Sequence, residues 1–164
     1  MPTRNPIPLF DKTDAPLRGA ELRRALERAS RPAGMTTFET AIALDPSLEP
    51  AYVQLAELQS EMGDEASAER TLRRAVELAH PSGAAHHALG LSLVRQGRDG
   101  EAIPLLDEAT RLAPHDGHYL LVLALAQLSA GCRADAVATL ERAVALHPDD
   151  AEMRSVLDRL RGGR

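Results

Sequence analysis

The sequence is poor in aromatic residues and in cysteine. Aromatics make up 2% of its 164 residues and tryptophan is absent, so any core must be assembled from Leu, Ala, Val and Ile. Apolar faces this rich in alanine suit helices that approach one another closely, whereas a strand sandwich draws on β-branched and aromatic residues. The single cysteine, Cys132, rules out an intrachain disulfide and any multi-cysteine metal site. No window approaches the roughly 18 consecutive apolar residues of a membrane span. The opening stretch MPTRNPIPLFDKTDAP has no apolar core of the kind a secretory signal needs. Lysine occurs once, at Lys12, and the rest of the fixed positive charge is arginine, which reads as a genomic bias because nothing local requires it. A net charge of −5 argues against a surface that tracks nucleic-acid phosphates. Together these absences point to a cytoplasmic, reducing setting, unless the chain is a piece of a larger exported protein.

What is present is periodicity. From Gly83 to Asp116, GAAHHALGLSLVRQGRDGEAIPLLDEATRLAPHD contains two amphipathic helix patterns with a glycine between them and a proline near the end. Similar patterns flank it. The prolines that stop the second helices are Pro46, Pro81, Pro114 and Pro148, separated by 35, 33 and 34 residues, and Gly63, Gly97 and Gly131 recur every 34. Glycine suits those turns because a helix end commonly needs a left-handed residue. A period near 34 with two helices per unit is the signature of a repeat array. Before the array, residues 1–14 are irregular, yet Ile7-Pro8-Leu9-Phe10 is apolar and already restricted by proline. A helix is expected over about 15–30, a break at Arg31-Pro32-Ala33-Gly34, and a second helix over about 35–44.

These residues resemble the tetratricopeptide repeat, whose pattern is W-x2-L-G-x2-Y…A-x3-F…A…P. The central unit supplies His86, Leu89, Gly90, Leu93, Ala102, Leu106, Ala109 and Pro114. The unit before it supplies Tyr52, Leu55, Ala56, Gln59, Ala68, Leu72 and Ala75, with Pro81 one place late. The unit after it supplies Leu120, Leu123, Ala124, Gln127, Ala136, Leu140, Ala143 and Pro148. The resemblance implies an all-α, right-handed superhelical helix-turn-helix repeat solenoid with a C-terminal capping helix. It divides the chain into an irregular segment 1–14, a degenerate repeat 15–48, repeats 49–82, 83–116 and 117–150, and a capping helix and tail 151–164, with 15–161 forming one structural domain. In the cap, Met153, Val156, Leu157 and Leu160 are expected to face inward. Pro104 lies inside the second helix of the central unit, near enough to its start to be tolerated.

In this family ligands are held mainly by first helices, at places 2, 5, 9, 12 and 13 of each unit. The resemblance therefore implies a non-catalytic protein–protein interaction module, a scaffold, adaptor or assembly factor, that binds another protein or peptide. The expected groove residues are Val53, Glu57, His87, Leu91, Val94, Arg95, His118, Leu121, Leu125 and Leu128. Chaperone adaptors of this family clamp a C-terminal carboxylate with Lys, Asn and Arg at such places; Arg95 is the only such cation here, so no clamp is expected. The apolar band Val53, Leu91, Val94, Leu121, Leu125 and Leu128 leaves three readings open. Neighbouring helices bury it, since HYLLVLALAQLSA is apolar all round; or it receives an amphipathic helix or extended peptide; or it is the seam of a homo-oligomer. The Ile7–Phe10 segment is a candidate occupant.

Chemistry has little support. Asp64-Glu65 and Asp149-Asp150 read as helix starts, Cys132 has no histidine near it in sequence, and no phosphate loop, HExxH or GxSxG occurs. Of the six histidines, His87 and His118 can face each other across adjacent first helices, but a metal site needs three or four ligands and His115 falls in a turn. A metal-binding role through groove histidines is thus a remote alternative, and no cofactor is expected. A second resemblance covers 83–150: HHALGLSLVRQGR followed by RLAPHDGHYLLVLALAQLSAG is similar to the repeat arms of some bacterial multi-haem cytochromes. No CxxCH is present, so that likeness implies a detached arm or accessory partner without haem.

Overall fold

The computed structural model describes residues 31–78 and 80–162. The segment 1–14, the Ile7–Phe10 run and the helix expected over 15–30 lie outside the described residues. Among the described residues there are eight helices and no strand: α1 Arg31–Leu44, α2 Glu49–Glu61, α3 Glu65–Val76, α4 Gly83–Arg95, α5 Asp99–Leu112, α6 Gly117–Ser129, α7 Arg133–Leu146 and α8 Ala151–Gly162. This is an all-α helical repeat solenoid. The expected break at 31–34 is not there, because α1 is helical from Arg31 onward. Pro32 lies within its described span, and Gly34 is buried within the helix.

Helix ends follow local chemistry. Asp64, Ser82, Asp116 and Asp150 turn side-chain oxygens onto the first free amides of α3, α4, α6 and α8, at 2.9–3.2 Å. Each such cap satisfies a donor that has no intrahelical partner. Gly63, Gly97 and Gly131 adopt φ of 82°, 73° and 81° between paired helices, the left-handed geometry expected of them.

The chain divides into two compact units, Met1–Pro81 and Ser82–Arg164. In the first, α2 packs between α1 and α3. Phe38, Ala41 and Ile42 of α1, Tyr52, Leu55 and Ala56 of α2, and Ala68, Leu72 and Ala75 of α3 are buried. A buried polar pair joins the last two helices, Thr71 Oγ1 donating to Gln59 Oε1 at 2.8 Å. The Tyr52 hydroxyl donates to the Pro46 carbonyl at 2.9 Å, and the Arg74 guanidinium stands 5.2 Å from the Tyr52 ring centroid.

The second unit stacks α4 to α8 in chain order, each helix on the next, with α4 also touching α6. The buried residues recur at the same places: Leu89 and Gly90 on α4, Ala102, Leu106 and Ala109 on α5, Leu120, Leu123 and Ala124 on α6, Ala136, Leu140 and Ala143 on α7. Small residues are needed where helices of a pair cross. A Cβ on Gly90 would stand 2.6 Å from Leu106 Cγ, closer than packed carbons allow. Thr139 Oγ1 donates to Gln127 Oε1 at 2.9 Å, repeating the Thr71–Gln59 bond, while the corresponding places of the central repeat hold Leu93 and Leu105. Met153 and Leu157 of α8 are buried against α6 and α7, with Val156 and Leu160 packed beside them. Arg133 donates to the Leu160 carbonyl and Arg161 pairs with Glu141 at 2.6 Å, tying the last helix down at its edges.

Candidate functional site

The candidate residues lie on first helices, and each unit presents its own set. In the first unit, Val53 is half-buried and Glu57 is exposed on α2, its carboxylate accepting from Gln54 Nε2 at 2.7 Å. In the second unit, α4 carries His87, Leu91, Val94 and Arg95, and α6 carries His118, Leu121, Leu125 and Leu128.

These side chains differ in how far their neighbours cover them. Leu125 is 46% exposed. Leu121 and Leu128 are half-buried because they pack against the clusters that α6 forms with α7 and α8. Leu91 and Val94 are half-buried on α4, while Arg95 and His118 are exposed. Of the apolar candidates on these two helices, Leu125 is the most open. Part of the band seen in the sequence is internal packing, as the first of the three readings anticipated. Ser129, at the end of α6, donates to Asp99 Oδ2 of α5 at 2.6 Å, so its hydroxyl is committed to holding the helices together.

His87 is the unusual member. It is 9% exposed, its ring stacks on Tyr119 at 4.3 Å between centroids, and the His118 ring lies 5.2 Å away. Nε2 of His87 is buried without a hydrogen-bond partner. Burial pushes the pKa of His87 down to about 4; the neighbouring His118 adds to the effect and Asp116 opposes it. The imidazole is thus neutral in the folded protein near neutral pH. His87 and His118 do meet, as their places on adjacent first helices suggested, but among the described residues no group of three His, Cys, Asp or Glu is arranged to hold a metal ion. The stacking partner Tyr119 was missed in the sequence because it falls outside the ligand-facing places of the pattern. Two further histidines have local contacts: His86 Nδ1 lies 3.0 Å from the Ser82 carbonyl, and His147 Nε2 lies 2.9 Å from the His115 carbonyl. Asp64 and Asp150 cap helices, as their positions predicted. Cys132 is exposed at the start of α7.

The repeating places, the crossing glycine and the left-handed turns are features a family comparison can test. Models of the tetratricopeptide repeat match residues 53–117 and 93–160, so they run together over 53–160. The chain belongs to the tetratricopeptide-repeat family. No curated protein matches the sequence. Among solved structures, it is similar to YrrB, described as a TPR protein with an unusual peptide-binding site, at 21% identity over 81% of this chain, with a TM-score of 0.63. This chain spans 64% of the YrrB chain. It is similar to MamA at 17% identity, covering 90% of this chain and 86% of that one, with a TM-score of 0.76. A thermophilic TPR protein of Thermus thermophilus matches at 28% identity over 84% of this chain and 75% of its own, with a TM-score of 0.61. Tetratricopeptide-repeat proteins are in general non-catalytic modules for protein interaction or scaffolding, and this chain has that architecture. No helix among the described residues is long and apolar enough to cross a membrane.

Proposed function

We propose that this protein is a cytoplasmic, non-catalytic adaptor or assembly factor, with repeats at 49–82, 83–116 and 117–150, that binds an amphipathic helix or apolar peptide on the first helices of its second unit. The observation that carries the reading is Leu125, 46% exposed on α6 in a strip with Leu91, Val94, Leu121 and Leu128. An exposed leucine amid half-covered ones offers apolar area that a partner side chain can remove from water, about 25 cal/mol per Å². The description of YrrB as having a peptide-binding site is consistent with such a role. His118 and Arg95 are exposed on the same two helices, so polar groups are present to orient a partner. The second reading, self-association through the same strip, rests on the same exposed leucine.

One substitution separates these readings. Leu125→Glu places a charge on the strip and leaves the core alone, whereas Leu121 packs inward and its replacement would confound folding with binding. Solution mass is measured by light scattering for the chain and for Leu125→Glu, and a displayed random-peptide library is selected against both. A monomer that enriches apolar-patterned peptides, with the enrichment lost in Leu125→Glu, supports the adaptor reading. A dimer that Leu125→Glu splits supports self-association. Peptides that bind both proteins equally would falsify the assignment to this strip.

A further inference from the structure

A second recess lies between α5 and α7, built from second helices and the turn after one of them, and it shares no residue with the first-helix strip. Its volume is about 640 Å³, within the roughly 300–1,000 Å³ of small-ligand pockets. Its apolar side is formed by Pro114, Ala145 and Leu146, and its charged groups include Asp107, Arg111 and Arg142. Leu146 is 38% exposed.

Neither Asp107 nor Arg142 has a side-chain hydrogen bond or ion pair among the described residues, and the repeat shows how Arg142 came to lack one. On α5, Glu108 and Arg111 form a bidentate pair at 2.6 and 2.8 Å, and that pairing holds the Glu108 carboxyl below its usual range. One period later, α7 has Arg142 in place of the glutamate and Ala145 in place of the arginine. The charge has changed sign and its partner has gone. The residues three and four places from Arg142 are Ala138, Thr139, Ala145 and Leu146, so no acid can reach it along the helix. Its guanidinium has no hydrogen bond or ion pair among the described residues. Asp107, on the other helix, adds its field to Arg111 and makes the recess unwelcoming to a run of acids.

We propose that this recess is a second peptide-docking site, which takes a segment presenting one acidic side chain beside an aliphatic one. The acid pairs with Arg142, whose planar fork suits a carboxylate, and the aliphatic side chain covers Pro114, Ala145 and Leu146. This site is independent of the first-helix strip and would let one chain hold two partner segments.

The test is fluorescence anisotropy with an end-blocked, fluorescein-labelled heptapeptide whose centre is Leu-Glu-Leu, alongside probes centred on Leu-Gln-Leu and Leu-Lys-Leu. Arg142 is exposed, so Arg142→Ala and Arg142→Glu retain the fold, which far-UV circular dichroism verifies. The glutamate probe binds the natural chain more tightly than the glutamine probe, Arg142→Ala weakens it about fivefold, and Arg142→Glu reverses the preference in favour of the lysine probe. Leu125→Glu leaves the binding unchanged. Equal binding of glutamate and glutamine probes, no binding of either, or indifference to Arg142→Ala each overturns the proposal. Loss of binding in Leu125→Glu does so too, by moving the probe to the first-helix strip.

Discussion

His87 stands where the neighbouring repeats have Val53 and Leu121, but where those two are half-buried its ring is buried, stacked on Tyr119 and without a hydrogen-bond partner at Nε2. A buried neutral imidazole makes stability depend on pH. The unfolded chain binds a proton here near the ordinary value of 6.5, while the folded chain holds it off until about 4. Between those values the unfolded state carries more protons, so this residue's contribution is intact above 6.5, is lost as pH falls toward 4, and changes no further below that. We expect the urea midpoint to drop from pH 7.5 to pH 5 by more in the natural chain than in His87→Leu, which copies Leu121. Equal drops in the two proteins would remove His87 as the cause. The sequence set His87 among the groove residues and could not show that the Tyr119 ring would stack on it and leave it buried, because that depends on how α4 and α6 are rotated about their axes.

At the scale of single helices, sequence and structure agree most closely where a residue acts on its own backbone. The left-handed glycines and the capping aspartates act within a turn, and each was legible from type and spacing. The stretch 31–34 was not: proline and glycine usually punctuate a chain, yet α1 runs through these residues. Pro104 is accommodated inside α5, in an exposed position. The last helix makes a specific prediction. Met153 and Leu157 are buried against α6 and α7, and burying each contributes about 1.5–3 kcal/mol. Ending the chain after Asp150 therefore costs on the order of 4 kcal/mol and uncovers Leu120 and Leu140, which are now fully buried. The expected outcome is a lower thermal midpoint with increased binding of a hydrophobic dye. An unchanged midpoint would show that α8 contributes nothing to the stack.

On the scale of the whole molecule, a repeat protein is held together by contacts between sequence neighbours, and here the 34-residue places repeat with no strand among the described residues. Stability should then be graded along the second unit. Amides of α6, which lies between α5 and α7, are expected to exchange with deuterium far more slowly than those of α8, which follows α7 at the end of the stack. Uniform exchange across α4–α8 would instead mark one all-or-none unit. The sequence alone determined the helical class, the period, the turns and the family, because each depends on residues within about 34 positions of one another. Only the tertiary structure decided that Leu121 and Leu128 belong partly to the core while Leu125 stays open, that His87 is covered, and that Arg142 borders a recess with Pro114 and Leu146. Those outcomes depend on the rotation and spacing of neighbouring helices, and hydrophobic periodicity marks the buried face of a helix without specifying which atoms will meet it.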